Sequence, residues 1–166
     1  MTTLLPPEFL PRVRSLEDAY LASDDPIERS GFHGGPVRWL SEREPILEAL
    51  EGDGPFLDIG CASGYLLECL ARWAHERRIA FEPFGVDIGP RLIAAARRRL
   101  PAFGDNFWVA ETSNWHPPRR FRYVFTLAYC VPESSLRDYV FRLADRAVER
   151  GSLSALTGAA RAGNHL

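Results

Sequence analysis

The chain has 166 residues, enough for one domain with one hydrophobic core. Its 46% hydrophobic and 25% charged residues exclude a disordered polymer, and a net charge of −2 removes any global attraction to nucleic acid or an anionic membrane. All 20 basic residues are Arg, so a Lys base or Schiff base is excluded.

The first ten residues carry no basic region followed by a long apolar stretch, and no run approaches the roughly 18 apolar residues of a membrane helix. The expectation is a cytoplasmic protein with no membrane and no nucleic-acid partner. Cys61, Cys69 and Cys130 are odd in number and lack metal-ligand spacing; they read as buried small hydrophobes in a reducing compartment, with no metal site.

Val13, Leu16 and Tyr20 are spaced three and four apart, as in a short amphipathic helix. Asp24-Asp25-Pro26 ends it, because the residue before Pro is pushed away from helical angles. Ser30 to Pro36 reads as a flexible loop carrying Phe32 and His33. A second helix is expected over Ser41–Leu50, with Ile46, Leu47 and Leu50 inward and Ser41 and Glu44 at capping-box spacing; Pro45 sits awkwardly deep in it.

From Pro55 the pattern changes. Phe56–Ile59 is a short apolar run before Gly60, the mark of a buried parallel strand. Tyr65 to about Arg78 reads as a helix burying Leu66, Leu67, Leu70, Trp73 and Ala74. Phe84–Asp87 is a second strand, and Pro90 begins a helix that buries Leu92, Ile93, Ala96 and Leu100 and stops at Pro101. Strands follow at Asn106–Ala110 and Tyr123–Leu127, joined by a link with Pro117-Pro118 and no helical period. A helix is expected over Glu133–Arg150, with Leu136, Tyr139, Val140, Leu143 and Ala147 inward and Gly151 capping it. Leu153–Thr157 reads as a fifth, rather polar strand. Arg97-Arg98-Arg99 and Arg119, Arg120 and Arg122 read as solvated faces.

Alternating strands and helices imply a mostly parallel sheet of about five strands with helices on both faces. Ligands of such sheets bind beyond the carboxyl ends of the strands, here at residues 60–64. Gly60 and Gly64 permit a sharp turn, and amides at the following helix start are expected to point into the crevice and favour an anionic group. Asp87 ends the next strand, where an acid accepts hydrogen bonds from a ribose diol. Gly-Cys-Ala-Ser-Gly lacks the glycine spacing of a dinucleotide site, which disfavours a nicotinamide enzyme. A ligand with a ribose and no pyrophosphate, such as S-adenosylmethionine, fits better.

Asp58-Ile-Gly-Cys-Ala-Ser-Gly64 resembles the first motif of class I S-adenosylmethionine-dependent methyltransferases, with Ala62 at the middle glycine. Phe84 to Leu92 resembles the family's second strand and ribose acid. Phe107 to Thr112 resembles the third strand and the turn beside adenine. The likeness covers about residues 55–151, and residues 20–50 resemble the helical cap of small bacterial members.

The resemblance implies a Rossmann-like sheet and methyl transfer from S-adenosylmethionine to an unidentified small-molecule acceptor. It implies Asp58, Gly60, Ala62 and Gly64 around the methionine part and Asp87 at the ribose. Ile88 would pack on adenine, with Glu111 and Thr112 at its edge. No universal catalytic residue is implied. Tyr129, where the acceptor would approach, and His33 are the candidates, and Phe32 with Trp39 would lid the cofactor. The organisation expected is a cap over residues 1–54, a core over 55–158 and a tail over 159–166, in one structural domain.

Two departures bear on activity. Many members carry an acid at the start of the fourth strand, where this chain has Arg122. The family's sheet usually ends in an antiparallel hairpin, and too few residues follow Thr157 to form one. The expectation is a truncated member whose open sheet edge pairs two copies, or a non-catalytic module that binds S-adenosylmethionine.

Overall fold

The computed structural model describes residues 10–112, 115–127, 133–147 and 155–158. Tyr129, Cys130 and Gly151 lie outside them, as do the side chains of Leu136, Val140 and Ala147.

Three helices precede the sheet: α1 (Leu10–Leu21), α2 (Gly35–Arg43) and α3 (Pro45–Glu48). The single helix expected over Ser41–Leu50 is instead the end of α2 and the whole of α3. Pro45 opens α3 as its first residue, where its missing N–H costs nothing. Part of the expected loop is helical too, since Pro36 serves the same purpose in α2. Ser41 is no cap; its hydroxyl donates to the Arg38 carbonyl at 3.0 Å within α2.

The core follows as β1 (Gly54–Ile59), α4 (Tyr65–Glu76), β2 (Phe81–Asp87), α5 (Pro90–Arg99), β3 (Phe107–Val109), β4 (Tyr123–Leu127), α6 (Glu133–Ala147) and β5 (Ala155–Gly158). All strand pairs are parallel, in the order β3-β2-β1-β4-β5. Strand order reverses beside β1, which places the crevice between the ends of β1 and β4.

The two-residue period of a strand sorts β1 between two cores. Phe56 packs with α3, α4 and the cap aromatics Phe32 and Trp39. Leu57 and Ile59 face the other way, onto Phe84, Val86, Phe121 and Val124. Asp58 therefore shares the cap-side face with Phe56, and its register partner on β2 is Gly85. Asp87, two residues beyond Gly85, falls on the same side.

Helix α4 ends through the backbone. Arg78 takes a left-handed φ of 61°, and Ile79 N–H reaches the Ala74 carbonyl at 2.9 Å. Arg97, Arg98, Arg119 and Arg120 are exposed, as expected of solvated faces, and several arginines of the two clusters also reach protein partners. Arg97 donates to the Phe107 carbonyl at 2.6 Å, and Arg99 to the Ser63 carbonyl at 3.2 Å and Glu68 at 2.7 Å. Arg122 donates to the Asp53 carbonyl at 2.7 Å, and Arg119 lies 3.7 Å from Glu82 with its guanidinium over Phe84. A long stem lets a guanidinium stay in contact with water while it reaches a nearby carbonyl or carboxylate.

Helices α4 and α5 approach closely at Gly64, which has φ of 75°. A Cβ there would lie 2.9 Å from Ala96 Cβ and 3.2 Å from Ala96 Cα. Gly64→Ala is expected to destabilise the chain by about 2–4 kcal/mol, adding left-handed strain to overpacking. Arg78→Gly, at an exposed left-handed position, is expected to stabilise it by about 1 kcal/mol. Denaturant unfolding of both variants checks the pair of signs.

Candidate functional site

β1 delivers the chain into a turn at residues 60–64 that only unusual backbone angles can make. Gly60 has φ of 82°, Ala62 47° and Gly64 75°. Ala62 thus holds a left-handed conformation despite its Cβ, at the position where the resembling motif carries a glycine.

Asp87 holds the turn in this shape. Its Oδ2 accepts from Ala62 N–H at 3.0 Å and its Oδ1 from Gly89 N–H at 2.8 Å. The amides of Gly60 and Cys61 donate to the Val86 carbonyl at 2.8 and 3.2 Å, and Gly64 N–H to the Cys61 carbonyl at 2.9 Å. Four amides of the turn are therefore spent inside the protein. The turn is thereby fastened to the end of β2.

The crevice beside the turn is lined by Phe32, Trp39, Arg43, Asp58, Gly60 and Leu127, among others, and holds about 350 Å³ of empty space, partly open to solvent. A Cβ built on Gly60 would meet nothing within 4 Å, so this glycine faces the opening. Phe32 and Trp39 meet edge to face at 5.3 Å and form wall and core at once.

Asp58 is only 3% exposed, yet no hydrogen bond or ion pair reaches it among the described residues. Burial pushes its carboxyl up to about 7, the neighbouring Asp87 charge adds to the rise, and Arg43 opposes it. Asp87 is also raised by burial, opposed by its bonds to the Gly89 and Ala62 amides. Glu17 of α1, buried as well, raises it further while accepting from Arg91 N–H at 2.6 Å at the start of α5. Three buried acids gather here, and among the described residues only Glu17 forms an ion pair, with Arg91 at 4.0 Å.

Arg43 was missed by sequence reasoning. Its guanidinium lies 4.8 Å from the Phe32 ring centre and 5.5 Å from that of Trp39. The only hint was its place four residues beyond Trp39, on one helical face. The other expected residues spread along the same sheet edge. Ile88 is half-buried between Asp87 and Gly89. Glu111 and Thr112 follow Ala110, whose N–H donates to the Asp87 carbonyl at 3.0 Å, and the Thr112 hydroxyl sits 3.4 Å from Tyr139 Oη. None of these three, nor Asp87, is among the residues lining the crevice beside Gly60. His33 is exposed and does not line it either. No group of three or more potential metal ligands occurs among the described residues.

A carboxyl group raised on folding binds its proton more tightly in the native chain, so folding stability falls as pH rises from about 4 to about 7. The slope for one such group is at most about 1.4 kcal/mol per pH unit. Asp58→Asn is expected to flatten this decline, which urea unfolding at pH 5 and pH 8 checks.

No family model and no curated protein sequence matches the chain. Solved structures do match in fold. A SAM-dependent methyltransferase from Thiobacillus denitrificans, in complex with S-adenosyl-L-homocysteine, is 18% identical with a TM-score of 0.55; the match covers 95% of this chain and 56% of that one. Phosphoethanolamine N-methyltransferase 1 from Haemonchus contortus, in complex with phosphoethanolamine and S-adenosylhomocysteine, is 18% identical with a TM-score of 0.60, covering 84% and 30%. The PH0226 protein from Pyrococcus horikoshii is 22% identical with a TM-score of 0.56, covering 84% and 61%. The chain spans less than two thirds of the length of each. With the parallel sheet, the clipped turn after β1 and the acid after β2, these likenesses show that the chain has the Rossmann-like α/β fold of class I S-adenosylmethionine-dependent methyltransferases.

Proposed function

We propose that the chain binds S-adenosylmethionine in this crevice and transfers its methyl group to a small-molecule acceptor. One observation carries the reading: a buried Asp58 carboxyl, without a bonded partner, lines an opening next to Gly60. An unpaired buried acid calls for a cationic ligand. S-adenosylmethionine brings an ammonium and a sulfonium. A dinucleotide brings two negative phosphates into a region already crowded with Asp58, Asp87 and Glu17, where each phosphate would be repelled.

In this reading Asp58 accepts from the ammonium, and Gly60 leaves room for the chain of the methionine part. Asp87 keeps the turn folded through Ala62 and Gly89, and its two oxygens retain lone pairs for the ribose hydroxyls. Ile88 lies against adenine, and Glu111 and Thr112 border its edge. Phe32 and Trp39 exclude water from the charged groups, which strengthens every electrostatic contact inside. When bound, the cofactor supplies a methyl group on sulfur to an attacking nucleophile, a reaction that needs chiefly in-line placement. The matched structures from Thiobacillus denitrificans and Haemonchus contortus, whose complexes contain S-adenosylhomocysteine, support the same ligand class.

Isothermal titration with S-adenosylhomocysteine and with NAD is expected to give heat for the first and none for the second; heat for NAD alone would reverse the assignment. Asp87→Ala is expected to weaken S-adenosylhomocysteine at least tenfold, by about 1.4 kcal/mol or more. Because the ammonium favours the ionised acid, affinity is expected to fall below pH 7, by up to about tenfold per pH unit, and to lose this dependence in Asp58→Asn.

A further inference from the structure

Helix α5 begins without a cap of its own. Gly89, the residue before it, has no side chain, and Pro90 at its first position has no N–H. The first amide the helix offers is therefore that of Arg91, and its acceptor comes from a distant part of the chain. Glu17 Oε1 of α1, 74 residues earlier, takes it at 2.6 Å. The Arg91 guanidinium reaches back, lying 4.0 Å from Glu17 Oε2 and pairing with Asp18. Glu17 itself is only 2% exposed. Its stem lies over Gly89, where an added Cβ would fall 3.2 Å from Glu17 Cγ.

Gly89 is also the residue whose N–H donates to Asp87 Oδ1 at 2.8 Å. Asp87, Gly89 and Arg91 thus belong to one short connection with two fastenings. Asp87 ties it to Ala62 of the turn after β1, and Arg91 ties it to the cap. An acid is a costly choice for the second tie, because its charge raises the neighbouring Asp87 carboxyl beyond what burial does. An apolar side chain would fill the space at lower cost, as Val13 does one turn earlier on the same face of α1. Only an acceptor can take the Arg91 amide.

We propose that Glu17 is a positioning residue for the cofactor's ribose: its bond to the Arg91 amide and its packing on Gly89 hold the connection after β2 in the shape that aims the Asp87 carboxylate at the ribose hydroxyls. This rests on the reading that Asp87 meets the ribose of S-adenosylmethionine. Glu17 acts through Asp87, and α1 thereby sets cofactor affinity from outside the crevice, whose lining does not include it.

Calorimetry with the full chain tests this using S-adenosylhomocysteine and its counterpart lacking both ribose hydroxyls. The wild type is expected to prefer the hydroxylated ligand at least tenfold. Glu17→Met keeps the stem and removes the acceptor; it is expected to cut that preference at least fivefold, with less than twofold change in binding of the ligand without hydroxyls. Glu17→Leu, a second apolar filling of the same space, is expected to do the same, so that a variant that fails to fold leaves the comparison intact. Glu17→Gln, which keeps an oxygen for the Arg91 amide, is expected to retain at least half of the preference. Equal weakening of both ligands in the apolar variants marks a structural residue and overturns the role of Glu17, as does an unchanged preference; both leave the cofactor assignment standing. Loss of the preference in Glu17→Gln overturns it as well, since the acceptor is still present. Equal wild-type affinity for the two ligands removes Asp87 from the ribose and Glu17 with it, and binding of neither overturns the cofactor assignment too.

Discussion

The bond from Ala62 N–H to the Asp87 carboxylate is the contact on which the site depends. It spans 25 residues and joins the turn after β1 to the end of β2. The same carboxylate takes the Gly89 amide and so shapes the entry into α5. Without it, Ala62 would have no reason to keep a left-handed φ that its Cβ resists. The remaining ties of the turn are the Gly60 and Cys61 amides on the Val86 carbonyl and the Gly64 amide on the Cys61 carbonyl. A single buried acid thereby fixes backbone, helix start and cavity together. Its own burial is tolerated because two amides meet it.

The cost of this arrangement is an excess of negative charge in the interior. Asp58, Asp87 and Glu17 are all buried, and among the described residues only the last forms an ion pair, with Arg91, which also pairs with Asp18. Glu17 reaches from α1 to the first amides of α5, where the helix dipole favours it. The cap is thus fastened to the core by the same class of contact that fastens the turn. Asp58 is the member left without a bonded partner among the described residues, and burial pushes its carboxyl up to about 7. Arg43 relieves it from across the cavity without closing the distance. The balance is therefore left open to a ligand, and among the described residues the cap, which has no part in the sheet, supplies the cation that lines the crevice, Arg43.

Much of the core was legible in sequence because its elements are local. Phe56–Ile59 and Phe84–Asp87 read as strands from short apolar runs, and each begins slightly earlier in the structure, where pairing extends over Gly54 and Phe81. Helix α4 buries the face that its spacing indicated. Pro90 and Pro101 bound α5 as their fixed φ requires. The cap was read less well. Pro45, which looked like an obstacle, is the first residue of α3, and Pro36 is the second of α2; whether a proline opens or breaks a helix depends on where the preceding turn ends. The arginines were read by charge alone. Arg97 and Arg119 are exposed as read, and Arg97, Arg99, Arg119 and Arg122 also find carbonyls, carboxylates and rings supplied by distant segments.

By itself the sequence determined the parallel α/β order, the glycines at 60 and 64, and the presence of acids after the first two strands, since alternation and turn chemistry act over a few residues. The pairing register of β1 with β2 then put Asp58 and Asp87 on one side of the sheet. Only the tertiary structure decided what those acids meet. It turned Asp87 onto the amides of Ala62 and Gly89, spent the turn's donors internally, and brought Arg43, Phe32 and Trp39 over Asp58. The reason is range: a hydrogen bond or a buried charge is satisfied by whatever the fold brings within a few ångströms, and the residues concerned are tens of positions apart in the chain.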